Sequence, residues 1–265
     1  MHQKIFAAVL LAAAIGLTGV PASAQGTGAI VGHIKLTGSA PANPLIRMGA
    51  DPKCGAMNKG QRPVQNIVTI GAGGGLANAF VHVTGAVPAS AGGAQQAMLV
   101  QKNCLYSPRV IGVRAGQAVS IRNDDDLMHN LHGLSTRGQD FNTSQPKAGM
   151  VYMATFKQEE VMVHVKCDVH AWMNAYIGVV PNSFYAVTDG AGAFTIANVP
   201  VGKRTVSVWH ERYGMLTGTV DVKAGQNAVL ELTYPGGSPK AAASVREIVV
   251  PPDASEILIH TSASE

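Results

Sequence analysis

The sequence predicts an all-β fold built from two β-sandwiches. Short segments with alternating apolar and polar residues are separated by turns rich in glycine and proline, with 30 Gly and 14 Pro in 265 residues. No helical period follows the N-terminal leader. The length suffices for one large domain or two ordinary ones. The net charge of +4 comes without a cluster of Lys and Arg, so we expect no nucleic-acid partner.

The predicted strands begin directly after the leader. Residues 26–36 and 76–84 alternate clearly, and glycine-rich, proline-rich chain lies between them. Turn signals then follow at the spacing of a sandwich. Further strands are predicted at residues 98–101, 110–113, 118–122, 161–167 and 175–180.

Residues 1–24 are predicted to be a signal peptide. A short basic start containing Lys4 precedes the apolar run 5–20, and Ala22-Ser23-Ala24 supplies a cleavage site. A membrane anchor is the alternative, but the run is short and no basic flank follows it. We therefore expect a periplasmic or secreted protein without a membrane span, cleaved near Ala24.

The chain has three cysteines, an odd number for an exported protein. Cys54 and Cys104 lie in turn-like settings without a neighbouring His, so we predict a disulfide between them. Cys167 is then free, and a bound metal ion would explain a free thiol in an oxidising compartment.

A second observation supports a metal at Cys167. His170 and Met173 follow at short spacing, and His129 lies upstream. One Cys, two His and one Met form the ligand set of a blue-copper site, a trigonal plane with a weak axial Met. Strand alternation turns Cys167 inward, on the face of Val161, Val163 and Val165. His129 shares its face with Leu131; His132 points the other way and is the second choice.

The segments 128–132 (MHNLH) and 167–173 (CDVHAWM) resemble the copper-binding segments of plastocyanin-like cupredoxins. The Cys-x2-His-x2-Met spacing is similar to that of amicyanin and pseudoazurin. The resemblance implies a cupredoxin-like Greek-key sandwich with one type 1 copper. It also implies that Asn130 and Asn123 brace the ligand loops. Lys166 is a departure, because an aromatic residue or His often precedes the Cys.

The flanks resemble a carboxypeptidase regulatory-like (transthyretin-like) β-sandwich at residues 29–36, 188–202 and 205–210. Two arrangements remain open: the cupredoxin domain is inserted into this second sandwich, or the two follow in tandem. The predicted divisions are a signal peptide at 1–24, first sandwich strands at 26–95, the cupredoxin domain at 97–181, remaining sandwich strands at 182–235, and a linker with an unassigned tail at 236–265.

These features predict an exported electron carrier and not an enzyme. Redox proteins such as a cytochrome or a dehydrogenase would be its partners, and His170 and Trp172 would form the electron-transfer face, because the short loop leaves little cover over the metal. The alternative is a binding or structural module whose metal site stores or delivers copper, or is purely structural. A copper oxidase or nitrite reductase is disfavoured because Lys166 and Asp168, not His, flank Cys167.

Overall fold

The structure is a computed structural model that describes residues 26–87 and 96–236. These residues form an all-β fold, as the sequence predicts, with one short α-helix, α1 (Pro52–Met57), and 3-10 turns at Met48–Ala50 and Ala72–Gly74. The predicted signal peptide and nearly all of the predicted tail lie outside the described residues. The strands are β1 (Thr27–Leu36), β2 (Phe80–Thr84), β3 (Ala97–Lys102), β4 (Leu105–Ser107), β5 (Val110–Arg114), β6 (Ala118–Asn123), β7 (His129–Leu134), β8 (Phe141–Gln145), β9 (Val151–Thr155), β10 (Glu160–Lys166), β11 (Asn174–Val180), β12 (Tyr185–Val187), β13 (Ala193–Pro200), β14 (Gly202–His210), β15 (Gly214–Val222) and β16 (Asn227–Tyr234).

Strands β3 to β11 form two sheets, in the orders β4-β3-β6-β9 and β5-β11-β10-β7-β8. Their inner faces share one apolar core, to which Leu99, Ile121 and Ile177 contribute. Val163, Val165 and Cys167 point into it, as strand alternation predicts. Val161 does not: the register of β10 shifts between Glu160 and Val163, and Val161 packs in a different cluster.

The remaining strands form two further sheets, in the orders β13-β1-β16 and β12-β2-β14-β15. Strand β1 lies between two strands from the far end of the chain, antiparallel to β13 and parallel to β16. The two sheets enclose a second core that includes Ile30, Val81 and Val206. Strands from residues 27–84 and 185–234 therefore share sheets, with β3 to β11 between them in the chain.

The segment between β1 and β2 packs partly against strands β3 to β11, although residues 26–95 are predicted to form the first strands of the other sandwich. Ile46, Met48 and Cys54 pack in the core of β3 to β11 and not in the core of β1. Leu45 and Val64 form an isolated antiparallel bridge that closes this segment into a loop. The loop places α1 beside the end of the sandwich where β7 begins and β10 ends, because Cys54 is bonded to Cys104 there.

The two sandwiches meet through a small third cluster around Phe80, Val110 and Val180. Glycines leave room for Phe80: a Cβ at Gly112 or Gly178 would lie 2.6 Å or 2.5 Å from its ring. The Arg109 guanidinium donates to the Glu211 carboxylate across this contact, with a Nη2 to Oε1 distance of 2.8 Å and side chains that are 13% and 8% exposed. This buried ion pair joins Arg109, which directly precedes β5, to Glu211, which directly follows β14.

Candidate metal centre

Cys167 lies at the end of β10 and is 1% exposed. It is the one free cysteine among residues 26–87 and 96–236. The backbone N–H of Asn130 points at its Sγ from 3.3 Å, and its own N–H donates to the carbonyl of Met173 at 3.1 Å. Burial alone would raise the pKa of the thiol, but hydrogen bonds from His129 and from the N–H groups of Asn130, His170 and Val169 hold that pKa below its usual value.

His170 and Met173 lie on the tight loop that joins β10 to β11. The N–H of Met173 donates to the carbonyl of His170 at 2.8 Å, which closes the loop on itself. The Nδ1 atom of His170 is 3.7 Å from Sγ of Cys167. Met173 is fully buried in the same core cluster as Cys167.

His129 is the first residue of β7 and reaches the same point from the neighbouring strand. Its Nδ1 lies 3.1 Å from Nδ1 of His170. One nitrogen of each ring and Sγ of Cys167 all lie within 4.8 Å of one another. Two imidazole nitrogens this close need a proton or a metal ion between them, because two lone pairs repel each other.

The other side of the His129 ring faces Asp125, whose carboxylate lies 2.9 Å from Nε2. That carboxylate also accepts the backbone N–H groups of Asn103 and Cys104, both at 2.8 Å. Burial would raise the pKa of Asp125, but these hydrogen bonds hold it below its ordinary value. Burial would likewise lower the pKa of His129, and the hydrogen bonds to Asp125 and Cys167 raise it instead. Nε2 of His129 therefore donates to Asp125, and Nδ1 is directed to the cluster.

Asn130 and Asn123, the two predicted bracing residues, hydrogen-bond to the segments that carry the clustered side chains. The side-chain amide of Asn130 donates to Asn142 at 2.7 Å, and its oxygen accepts the N–H of Asp168 at 3.2 Å. The amide of Asn123 donates to the carbonyls of Leu127 and Gln145, and its oxygen accepts the N–H of Asp125 at 2.9 Å. Asn123 thereby shapes the turn that carries Asp125.

His132 lies apart from this cluster. It points outward from β7, is 26% exposed, and lies with Nδ1 2.9 Å from a carboxylate oxygen of Asp168. His164 also points outward and contacts the side-chain oxygen of Asn174 through Nε2 at 2.7 Å. The structure brings together His129, Cys167 and His170 and leaves these two imidazoles outside.

From the short loop we expect little cover over the metal, but the side chain of His170 is only 1% exposed. Its Nε2 lies 3.3 Å from Asp51 Oδ2 and 3.5 Å from Cys54 Sγ, beneath the start of α1. Burial lowers the pKa of His170, and the hydrogen bond that its ring donates to the Asp51 carboxylate opposes this shift. Trp172 packs beside the ring, with centroids 5.2 Å apart, and donates to the carbonyl of Cys104 at 2.9 Å. We call residues 51–57 the cover.

The predicted disulfide joins Cys54 to Cys104, with Cα atoms 5.7 Å apart, and it fastens the cover to the turn before β4. Sequence reasoning missed Asp51 and Asp125 as neighbours of the site. Asp125 stands four residues before His129, which was a usable signal. Asp51 carried no such signal in the sequence; in the structure it caps α1 by accepting the N–H groups of Lys53 and Cys54.

Among solved structures, the chain is similar to several copper proteins. A purple cupredoxin from Nitrosopumilus maritimus is 22% identical over 32% of this chain and 99% of its own, with a TM-score of 0.28. Amicyanin from Paracoccus versutus is 20% identical over 37% of this chain and 96% of its own, with a TM-score of 0.28. A copper-containing nitrite reductase from Thermus scotoductus SA-01 is 22% identical over 36% of this chain and 24% of its own, with a TM-score of 0.30. No protein-family model and no curated protein matches the chain.

The donor set of the cluster fits copper on chemical grounds. A thiol with a lowered pKa and two imidazoles meet in a buried position, and a buried thioether lies on the same loop. A mixed set of sulfur and nitrogen donors suits both Cu(I) and Cu(II).

None of the helices in the described parts of the chain has the length and apolar character needed to cross a bilayer.

Proposed function

We propose that this protein is an exported type 1 copper protein that carries single electrons between redox proteins, and that it is not an enzyme. The observation that carries the proposal is the convergence of Cys167, His129 and His170 within 4.8 Å in a buried position. These three residues would bind one copper ion, with Met173 as a weak fourth ligand. The bound ion would supply the one-electron Cu(I)/Cu(II) couple.

The protein's own contribution is to hold the ligands in place. One backbone hydrogen bond joins Cys167 to Met173, and the N–H of Asn130 stabilises negative charge on Sγ. Asp125 fixes the ring orientation of His129. Ligands at the ends of two paired strands and on the tight loop after them move little when the charge of a bound ion changes, which suits electron transfer.

We further propose that residues 97–181 form a cupredoxin domain inserted into a regulatory-like sandwich. The mixing of early and late strands in the sheets β13-β1-β16 and β12-β2-β14-β15 supports insertion over a tandem order. On this proposal the loop of residues 45–64 belongs to the second sandwich by chain order but serves the metal centre. The partners would be redox proteins such as a cytochrome or a dehydrogenase.

One observation favours a second candidate, a protein that stores or delivers copper. The cover buries His170, whereas an electron carrier that docks over its ligand loop needs that imidazole near the surface. Storage would benefit from a closed site. The two candidates share their ligands and differ in whether a bound copper ion cycles between oxidation states.

Copper analysis and visible spectroscopy of the purified, oxidised protein test the proposed site. We expect one copper per chain and an intense blue or green colour, because charge transfer from the Cys167 thiolate to Cu(II) absorbs strongly. Cys167→Ser should abolish the colour and His129→Ala should disrupt it, whereas His132→Ala, the matched control, should leave it intact. A colour that survives loss of Cys167 would contradict the proposal.

A further inference from the structure

The His170 ring lies between the sulfur atom of Cys167 and a second group of donors that includes the sulfur atoms of Cys54 and Cys104. Its Nδ1 faces Cys167, and its Nε2 faces Cys54 at 3.5 Å. Donor atoms of Cys54, Cys104 and His170 all lie within 4.8 Å of one another, and none of the three residues is more than 1% exposed. Asp51 and Asp125 place carboxylates beside this second group: Asp51 contacts Nε2 of His170, and Asp125 accepts the N–H of Cys104.

The positions of the two sulfur atoms are held by more than the bond between them. On one side, the turn of Cys104 is fixed by the Asp125 carboxylate, which accepts the N–H groups of residues 103 and 104, and by Trp172, which donates to the Cys104 carbonyl. Opening the disulfide would break none of these contacts.

The cover is anchored in the same way. The side-chain amide of Asn58 donates to the carbonyl of Asn103 at 3.0 Å, and Nζ of Lys53 donates to the carbonyl of Asp126 at 3.1 Å. Asp51 caps α1 and contacts His170. Cys54 would therefore stay close to Cys104 after the bond between them is broken.

We propose that reduction of the Cys54–Cys104 disulfide creates a second metal site, in which both thiolates and Nε2 of His170 bind one thiophilic cation such as Cu(I). A dithiol supplies the two electrons and two protons that convert the disulfide to two thiols, and becomes a disulfide itself. Each thiol that binds the cation then releases its proton to solvent. The site is distinct from the proposed copper site, since it uses the opposite nitrogen of His170, and it does not depend on that site being filled.

Soft ligands decide the class of metal. Two thiolates and an imidazole favour Cu(I) over hard cations, which take oxygen ligands. The nearby carboxylates of Asp51 and Asp125 add negative charge that favours a cation at this position. The disulfide form has no thiolate to offer, so the site exists only in the reduced protein.

The test uses the full-length Cys167→Ser variant, which removes the soft ligand of the first site. The variant is reduced with dithiothreitol, freed of reductant without oxygen, and titrated with Cu(I) against a colorimetric Cu(I) chelator. We expect the reduced variant to take up one equivalent and the oxidised variant to take up none. Equal uptake by the two forms would overturn the proposal. Because the first site lacks Cys167 here, failure of this uptake leaves the proposed function intact.

Alkylation provides a second measurement that needs no substitution at Cys54 or Cys104. Reduced wild-type protein is treated with iodoacetamide with and without Cu(I), and the modified cysteines are mapped by peptide mass. We expect Cu(I) to slow modification of both Cys54 and Cys104 at least tenfold. Equal alkylation of both residues with and without Cu(I) would contradict the proposal.

A control for the Cu(I) titration adds Cys54→Ser and Cys104→Ser to the Cys167→Ser variant. This protein should lose the equivalent of Cu(I) that the reduced Cys167→Ser variant takes up.

Discussion

Nε2 of His129 lies 2.9 Å from a carboxylate oxygen of Asp125, and both side chains are buried. The same carboxylate accepts the N–H of Cys104, whose sulfur is bonded to the cover. One buried charge therefore links the ring orientation of His129 to the position of the disulfide. This arrangement makes Asp125 the residue through which the electrostatics of the proposed copper site can be changed without altering a ligand.

Asp125→Asn should weaken copper binding and raise the reduction potential. The amide carries no negative charge, so the substitution destabilises Cu(II) more than it destabilises Cu(I). It also holds the orientation of His129 less firmly. We expect a loss of roughly 10–100-fold in Cu(II) affinity, the usual cost of losing a partner of a ligating His. Competitive chelation and a redox titration measure both effects. Asp126→Asn, at an exposed neighbouring position, is the control, and equal changes in the two variants would exclude this role for Asp125.

Met173→Gln should retain copper and shift the reduction potential. Met173 is fully buried and lies on the loop between β10 and β11, and a weak axial ligand would tune the potential more than it holds the ion. Protein-film voltammetry measures the shift against wild type. Loss of copper from Met173→Gln, or an unchanged potential, would remove Met173 from the ligand set.

Arg109→Met should destabilise the protein by about 3–5 kcal/mol, since it leaves the Glu211 carboxylate buried without its partner. Burial already raises the pKa of Glu211, opposed by Arg109. Chemical denaturation measures the free energy of unfolding. Arg122→Met removes an ion pair with Asp124 at a more exposed position and should change stability little. Comparable losses in both variants would count against the buried pair as a stabilising contact.

The buried side chain of His82 should make the folded protein less stable in acid. Burial lowers its pKa from 6.5 to about 4, so the unfolded chain binds more protons than the folded protein between these two values. Stability contributed by neutral His82 is complete above the unfolded pKa and is lost as the pH falls towards the folded pKa. The expected loss is about 2 kcal/mol between about pH 7 and pH 5. His82→Leu should show a shallower decline in unfolding free energy; an identical pH profile would contradict the prediction.

Strand alternation predicted correctly that Cys167 points into the core. Successive side chains of a strand point to opposite faces, so the positions of the apolar residues show which face is buried. The disulfide followed from cysteine number and turn context. The cover did not follow: α1 is six residues long, and Asp51 stands 119 positions before the His170 that it contacts. Such a contact depends on where a loop closes in space, which local periodicity does not encode. For the same reason the sequence did not show that Ile46, Met48 and Cys54 pack in the core of β3 to β11.

Cyclic voltammetry of the copper-loaded wild-type protein, with copper content measured before and after cycling, tests the proposed function most directly. We predict a reversible one-electron wave whose peak separation stays small at high scan rate, with one copper retained per chain, because hydrogen bonds already hold Cys167, His129 and His170 in place in the protein. An irreversible wave, or release of copper on reduction, would contradict the electron-carrier account and leave copper storage or delivery in its place.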